Sequence, residues 1–129
     1  MRDIERISVE TATSLENFAI IEGDITKENL GMTEEDFETV CNETTSVFHL
    51  AAVYDLAVAK NLAYAVNVEG TRNVNKLVEK IKNLQRYNYI STCYVAGKRT
   101  GLIREDELEH NAGFQNFYEE TKYLAEIEV

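Results

Sequence analysis

The sequence predicts an α/β protein built on a parallel sheet with crossover helices. Two continuous apolar runs, Phe18–Ile21 and Ser46–Leu50, and a third strand-like stretch, Tyr87–Thr92, supply the strands. Runs that are apolar on both faces suit strands buried between helix layers. Capped or amphipathic segments separate them, so strand and helix alternate three times along the chain. Crossovers in such an arrangement are almost always right-handed.

Residues 1 to 16 carry the weakest pattern. Arg2 to Glu10 is charged with thin periodicity, and Ser8 to Ser14 reads as irregular. Order begins at Phe18-Ala-Ile-Ile21, whose boundary Glu22-Gly23-Asp24 marks the end of a buried strand. Thr33-Glu-Glu-Asp36 then reads as a helix start, with a capping hydroxyl and acids in the first turn. Phe37, Val40 and Cys41 share one face of that short helix. Ser46-Val-Phe-His-Leu50 is the second strand, followed by Ala51 and Ala52. A long helix is expected over roughly 58 to 82, where Val74, Leu77, Val78 and Ile81 recur at helical spacing and Asn83 is a stop. Tyr87–Thr92 is the third strand, a polar loop spans Gly97 to Gly113, and a helix around Tyr118 closes the chain.

With 129 residues, 44% of them hydrophobic, the chain suffices for one ordinary globular domain. A net charge of −10, with thirteen scattered Lys and Arg, argues against nucleic acid or an anionic membrane as partner. No apolar run approaches the roughly 20 residues of a membrane span. Met1 to Arg6 has no apolar core of a signal peptide. Cys41 and Cys93 stand in apolar surroundings without metal-ligand spacing. Free thiols in a reducing cytoplasm, and no metal, are therefore expected.

The chemistry concentrates in Asn116-Phe-Tyr118-Glu-Glu-Thr121-Lys122. On a helix, Tyr118 and Lys122 lie one turn apart on the same face. A cation beside a phenol favours the phenolate and makes the tyrosine a serviceable proton donor. Spacing alone leaves an amphipathic surface helix open as the other reading. Tyr94 and Lys98 share the spacing, but Gly97 between them makes that segment a turn.

Four stretches precede this helix in an informative order: Gly23-Asp24-Ile25-Thr26, Phe48-His-Leu50-Ala51-Ala52, Asn67-Val-Glu-Gly-Thr71 and Tyr89-Ile-Ser-Thr92. With the Tyr118/Lys122 helix they resemble the extended short-chain dehydrogenase/reductases, from about residue 18 to the C-terminus. Within that superfamily, Gly23 to Gly31 and Asn116 to Glu126 look most like the thioester and fatty acyl reductase branch. The resemblance implies a partial Rossmann-like doubly wound parallel sheet lacking the first βα unit. It implies NAD or NADP as cofactor, a small carbonyl or acyl substrate, and hydride transfer between them. Asp24 and Ile25 would meet the adenosine end; Leu50, Ala51 and Ala52 would line the cofactor at the carboxyl edge of the sheet. Thr92 and Tyr118 would hold the developing oxyanion, with Tyr118 as proton donor. Lys122 would bind the nicotinamide ribose, and Asn67 would support the lysine through water.

Each role has a plainer counterpart. Asp24 also suits a turn or capping aspartate, Asn67 a structural polar contact and Thr92 a backbone cap. Strand alternation lets only one of Ser91 and Thr92 face the site. His49 reads as a satisfied strand histidine and His110 as a solvated loop residue. A nucleotide-sugar epimerase or dehydratase shares the Thr/Tyr/Lys set, and a non-catalytic interaction module is the third possibility.

The six glycines, at 23, 31, 70, 97, 101 and 113, form no Gly-x-x-Gly-x-x-Gly turn of the kind that holds a pyrophosphate. The expectation is therefore an incomplete NAD(P)-binding domain over residues 1–129, with 1–16 poorly defined and no substrate domain. Such a piece would be inactive in isolation. With its central strand absent, the gap would be closed by direct re-pairing of the remaining strands or by pairing with a second copy of the chain, and self-association is the expected outcome.

Overall fold

The computed structural model describes residues 2–129. A β-α-β unit forms its centre. Strands β1 (Ser46–His49) and β2 (Arg86–Tyr89) run parallel, with Ser46 opposite Arg86 and His49 opposite Tyr89. Backbone bonds from Gln85 N to Thr45 O and from Ile90 N to His49 O continue the ladder beyond both ends.

The connection between the strands is one helical rod in three parts. They are α3 (Lys60–Ala63), a π-helical stretch (Tyr64–Glu69) and α4 (Gly70–Val78). The rod is shorter than the expected 58 to 82, because the amides of Lys80 and Ile81 turn back to the carbonyls of Leu77 and Val78. The wider π turn falls where Asn67 must reach out of the helix, and such turns often mark working positions. Helix α5 (Phe117–Ile127) packs against the π stretch and α3.

Two other helices precede this centre in the chain. In α2 (Glu34–Glu43), Thr33 Oγ1 accepts from Asp36 N at 3.1 Å and donates to Asp36 Oδ2 at 2.7 Å, the expected cap. Helix α1 (Arg2–Thr11) occupies part of a stretch read as irregular. What supports it is local: Arg6 pairs with Asp3 at 3.8 Å and Glu10 at 3.4 Å, and the Thr11 hydroxyl bonds Ile7 O at 2.8 Å. Pairs three and four residues apart can sustain a helix that has little apolar packing.

Phe18–Ile21 departs from expectation. The sheet among the described residues has two strands, and this run is in neither. Phe18 is extended at φ −118° and ψ 129°, and Ile20 is 57% exposed. Apolar content prepares a strand, but a hydrogen-bonding neighbour makes one, and among the described residues neither strand pairs with the run.

Ala63, Val68, Val74, Leu77, Ile81 and Ala125 fill the layer between helices and sheet. The largest fully buried side chains are nevertheless polar: Asn67, Thr71 and Thr121. On the opposite face of the sheet Phe48, Leu50 and Ile90 are exposed. No helix among the described residues is long and apolar enough to cross a membrane.

The loop from Gly97 to Gly113 is anchored rather than loose. Lys98 N bonds Gly113 O at 2.9 Å. His110, expected in solvent, is instead half-buried. Its Nδ1 accepts from Ala112 N at 3.2 Å, so Nε2 carries the proton and donates to Val95 O at 2.9 Å. Its ring packs on Phe114 and Tyr123, with centroids 5.2 and 5.1 Å away. Gly97 sits at φ +59°, and a Cβ there would stand 2.4 Å from Gly113 O. Gly97→Ala is therefore expected to cost at least about 2 kcal/mol. Gly113→Ala, also at positive φ but with nothing within 4 Å, should cost about 1 kcal/mol. Urea midpoints of the two variants provide the measurement, and equal midpoints would refute the steric argument.

Candidate active site

Helix α5 begins where Asn116 Oδ1 accepts from Glu119 N at 2.9 Å, while Glu119 Oε2 accepts from Gln115 N at 2.9 Å. This reciprocal cap fixes the first turn and so the direction of Tyr118. Tyr118 is half-buried, with the Tyr94 ring edge-on at 6.2 Å. Tyr94 belongs to a short 3₁₀ turn, Cys93–Ala96, that follows β2 and packs on α5. The strand end and the helix thereby meet.

Lys122, one turn along, is 4% exposed. Its ammonium donates to Tyr89 Oη at 2.7 Å and to Ile90 O at 2.8 Å, and lies 4.3 Å from the Tyr89 ring centroid. Burial draws its pKa down to about 8, opposed by the charge of Glu126. In this structure the lysine's bonds go to the end of β2, not to the Tyr118 hydroxyl.

Ser91 donates to Glu126 Oε2 on α5. Thr92 starts the Cys93–Ala96 turn, its Oγ1 accepting from Tyr94 N at 3.3 Å, so the plainer capping role is realised. Thr92 and Ser91 also line an open cavity of about 650 Å³ with Cys93, Arg99, Leu102 and Ile103. Tyr118 and Lys122 are not among its lining residues. Cys93, expected in apolar surroundings, is exposed there, whereas Cys41 is buried.

Asn67 is 1% exposed, and its amide is spent on structure. Oδ1 accepts from Val53 N at 2.8 Å, and Nδ2 donates to Val53 O at 3.1 Å and Thr121 Oγ1 at 2.9 Å. It reaches the chain leaving β1 and the helix bearing Lys122, but not the lysine itself. Asp24 closes a turn: Oδ1 accepts from Thr26 N at 3.0 Å and Thr26 Oγ1 at 2.6 Å. Those bonds hold its carboxyl below the usual carboxylate range. Ile25 lies on Gly70, where a Cβ would be 2.7 Å from Ile25 Cδ1, and its carbonyl accepts from Asn73 at 2.9 Å. Leu50 and Ala51 are exposed and Ala52 half-buried, at the carboxyl end of β1.

The residues missed from sequence are Tyr89, Thr71 and Thr121. Tyr89 stands opposite His49 across the ladder, with ring centroids 5.5 Å apart. His49 is buried and paired with Thr71 Oγ1 at 3.0 Å, while the Thr71 hydroxyl donates to Asn67 O at 2.7 Å. Burial, and then the charge of Lys122, lower the pKa of His49. The expected satisfied strand histidine is therefore what is found. Polar residues recurring at alternate strand positions facing a helix were the available signal.

The parallel β-α-β unit with α5 packed at its carboxyl edge is a partial Rossmann-like fold. The chain belongs to the male sterility protein family, whose model matches residues 2–129. Fatty acyl-CoA reductase wat of Drosophila melanogaster is 28% identical over 83% of this chain and 26% of its own length. Human fatty acyl-CoA reductase 1 is 30% identical over 70% of this chain and 18% of its own. The crystal structure of the terminal R domain from the myxalamid PKS-NRPS biosynthetic pathway superposes with a TM-score of 0.72 at 31% identity, covering 81% of this chain and 27% of that one. The chain thus spans about a quarter or less of the two reductases' length.

Family and fold bring NAD(P) as the cofactor class. The residues present fit its adenosine end. Asp24 stays ionised, and its Oδ2 meets only Lys27, at 3.5 Å, leaving an acceptor for an amino group. Past the carboxyl end of β1 an open cleft runs along Ala52, Val53, Tyr54, Asp55 and Leu56.

Lys122 also predicts a pH dependence. An amine whose folded-state pKa lies at about 8, below its ordinary 10.5, is protonated less readily folded than unfolded. Its contribution to stability is full above the ordinary value and is lost as pH falls from there toward 8. Denaturant midpoints should therefore rise between pH 8 and 10, and Lys122→Met should flatten the rise. An identical slope in that variant would count against the assignment.

Proposed function

We propose that Thr92, Tyr118 and Lys122 form the reducing centre of an NAD(P)H-dependent reductase acting on an acyl thioester. The observation that carries this reading is the packing of α5 on the turn after β2. It sets Tyr118 and a buried Lys122 against the strand end that bears Thr92. The named relatives are fatty acyl-CoA reductases, which supports an acyl substrate.

When bound, the reduced dinucleotide supplies the hydride for the carbonyl carbon. Tyr118 gives its hydroxyl proton to the carbonyl oxygen, and Thr92 shares in holding that oxygen as charge develops. The new hydroxyl then gives up its proton to the departing sulfur as the carbon–sulfur bond breaks, so that a thiol leaves, an aldehyde remains and Tyr118 regains its proton from solvent. Lys122 turns its ammonium from Tyr89 toward the nicotinamide ribose. Thr121 and Asn67 keep α5 in register with the β1 exit, so that the groups remain aligned.

A second reading, a non-catalytic interaction module, has one observation in its favour: Lys122 and Thr92 are both engaged in structural bonds. Turnover separates the two. In a protein of reductase length carrying this segment, Tyr118→Phe should lower thioester reduction about 100-fold or more, with little change in cofactor affinity. Near-normal turnover would sink the assignment.

The 129-residue chain alone is proposed to be an incomplete, inactive, cytoplasmic dinucleotide-binding domain. None of its six glycines forms a phosphate-binding turn, so the pyrophosphate would go unneutralised. The bare apolar face of Phe48, Leu50 and Ile90 supports self-association. Calorimetry with NAD and NADP should find binding weaker than micromolar; a micromolar dissociation constant would overturn this view.

A further inference from the structure

A buried ammonium brings three N–H donors into the protein, and each needs an acceptor. For Lys122 the fold provides Ile90 O at 2.8 Å and Tyr89, which meets the lysine twice. Its hydroxyl stands 2.7 Å from Nζ and its ring centroid 4.3 Å away. Without Tyr89 one carbonyl would be left for a fully charged group.

Tyr89 is itself fixed. Parallel register places it opposite His49, and His49 is held by Thr71, which in turn bonds Asn67 O. The titratable groups around the ammonium are few. They are Tyr89 and His49 from the strands, with Glu126 and Tyr118 one turn to either side on α5. The polar neighbours Thr71 and Asn67 belong to the helical rod.

We propose that Tyr89 is the positioning residue of Lys122: its hydroxyl and ring hold the ammonium at the end of β2, setting the lysine's place beside Tyr118 and its readiness to release a proton. The functional meaning rests on the reading of α5 as a reducing centre, but the tether does not. Ribose hydroxyls presented at this edge must compete with Tyr89 for the same ammonium. An apolar ring at position 89 would leave the lysine freer to turn and harder to charge.

The test reads the lysine rather than turnover, by NMR of the 129-residue chain with isotope-labelled lysine. In the unaltered chain the Lys122 Hε protons should be displaced from solvent-like shifts and show contacts to the Tyr89 ring protons. The amine should titrate at about 8. In Tyr89→Phe the ring remains but the acceptor is lost, so the midpoint should fall by about one unit. Tyr87→Phe, on the same strand, should leave it unchanged. A Lys122 side chain with solvent-like shifts and no ring contact overturns the proposal, as does an unmoved midpoint in Tyr89→Phe. Should Tyr89→Phe not fold, the ring contacts in the unaltered chain decide alone. Normal turnover of Tyr118→Phe would remove the reductase reading and leave the tether standing.

Discussion

A primary amide buried to 1% exposure must satisfy two N–H donors and a carbonyl oxygen from its own surroundings, and Asn67 does so with three bonds. Two go to the backbone of Val53 just after β1, and one goes to Thr121 on α5. Breaking any of them would strand a polar group in the interior, at about 1–3 kcal/mol. The amide thereby couples the strand exit, the helical rod and the helix carrying Tyr118 and Lys122. The π turn is the local adjustment that presents it: a wider turn at Tyr64–Glu69 lets one side chain serve two neighbours. Among the described residues, no buried side-chain polar atom is left without a partner.

Electrostatics follow from this polar centre. Lys122 is charged at the cost of desolvation, and the same burial and the lysine's charge keep His49 neutral. Tyr89, raised in pKa chiefly by burial, remains a phenol and so can accept from the ammonium without becoming a counter-ion. The candidate site consequently holds one half-buried phenol on α5, Tyr118, and one tethered cation. Both are anchored to a two-stranded sheet whose far side is open.

A reductase-family segment that spans 14–26% of the length of its curated relatives keeps the strand–helix junction at which the proposed chemistry sits. Gly70 and Ile25 pack the Asp24 loop on α4, while the Cys93–Ala96 turn packs on α5. The Asp24 loop and the strand end bearing Thr92 are thus held by separate contacts to one helical layer. Both depend on α4 and α5 staying together, and Arg72 assists by bridging Glu69 and Glu128.

Local signals in the sequence determined much of this protein. The Thr33 cap, the helical spacing of Val74, Leu77 and Val78, and the turn at Gly97 all depend on residues within a few positions of one another, and all appear as read. The motif order was enough to bring Asp24, Thr92, Tyr118 and Lys122 into one reading. Tertiary structure decided what depends on distant partners. Phe18–Ile21 has strand composition but no strand, because pairing requires a neighbour the run itself does not specify. His110 is clasped by Phe114 and Tyr123, though its polar surroundings in sequence suggested solvent. Tyr89 binds a lysine 33 positions away, because parallel register and helix packing, neither readable from short-range pattern, bring the two together.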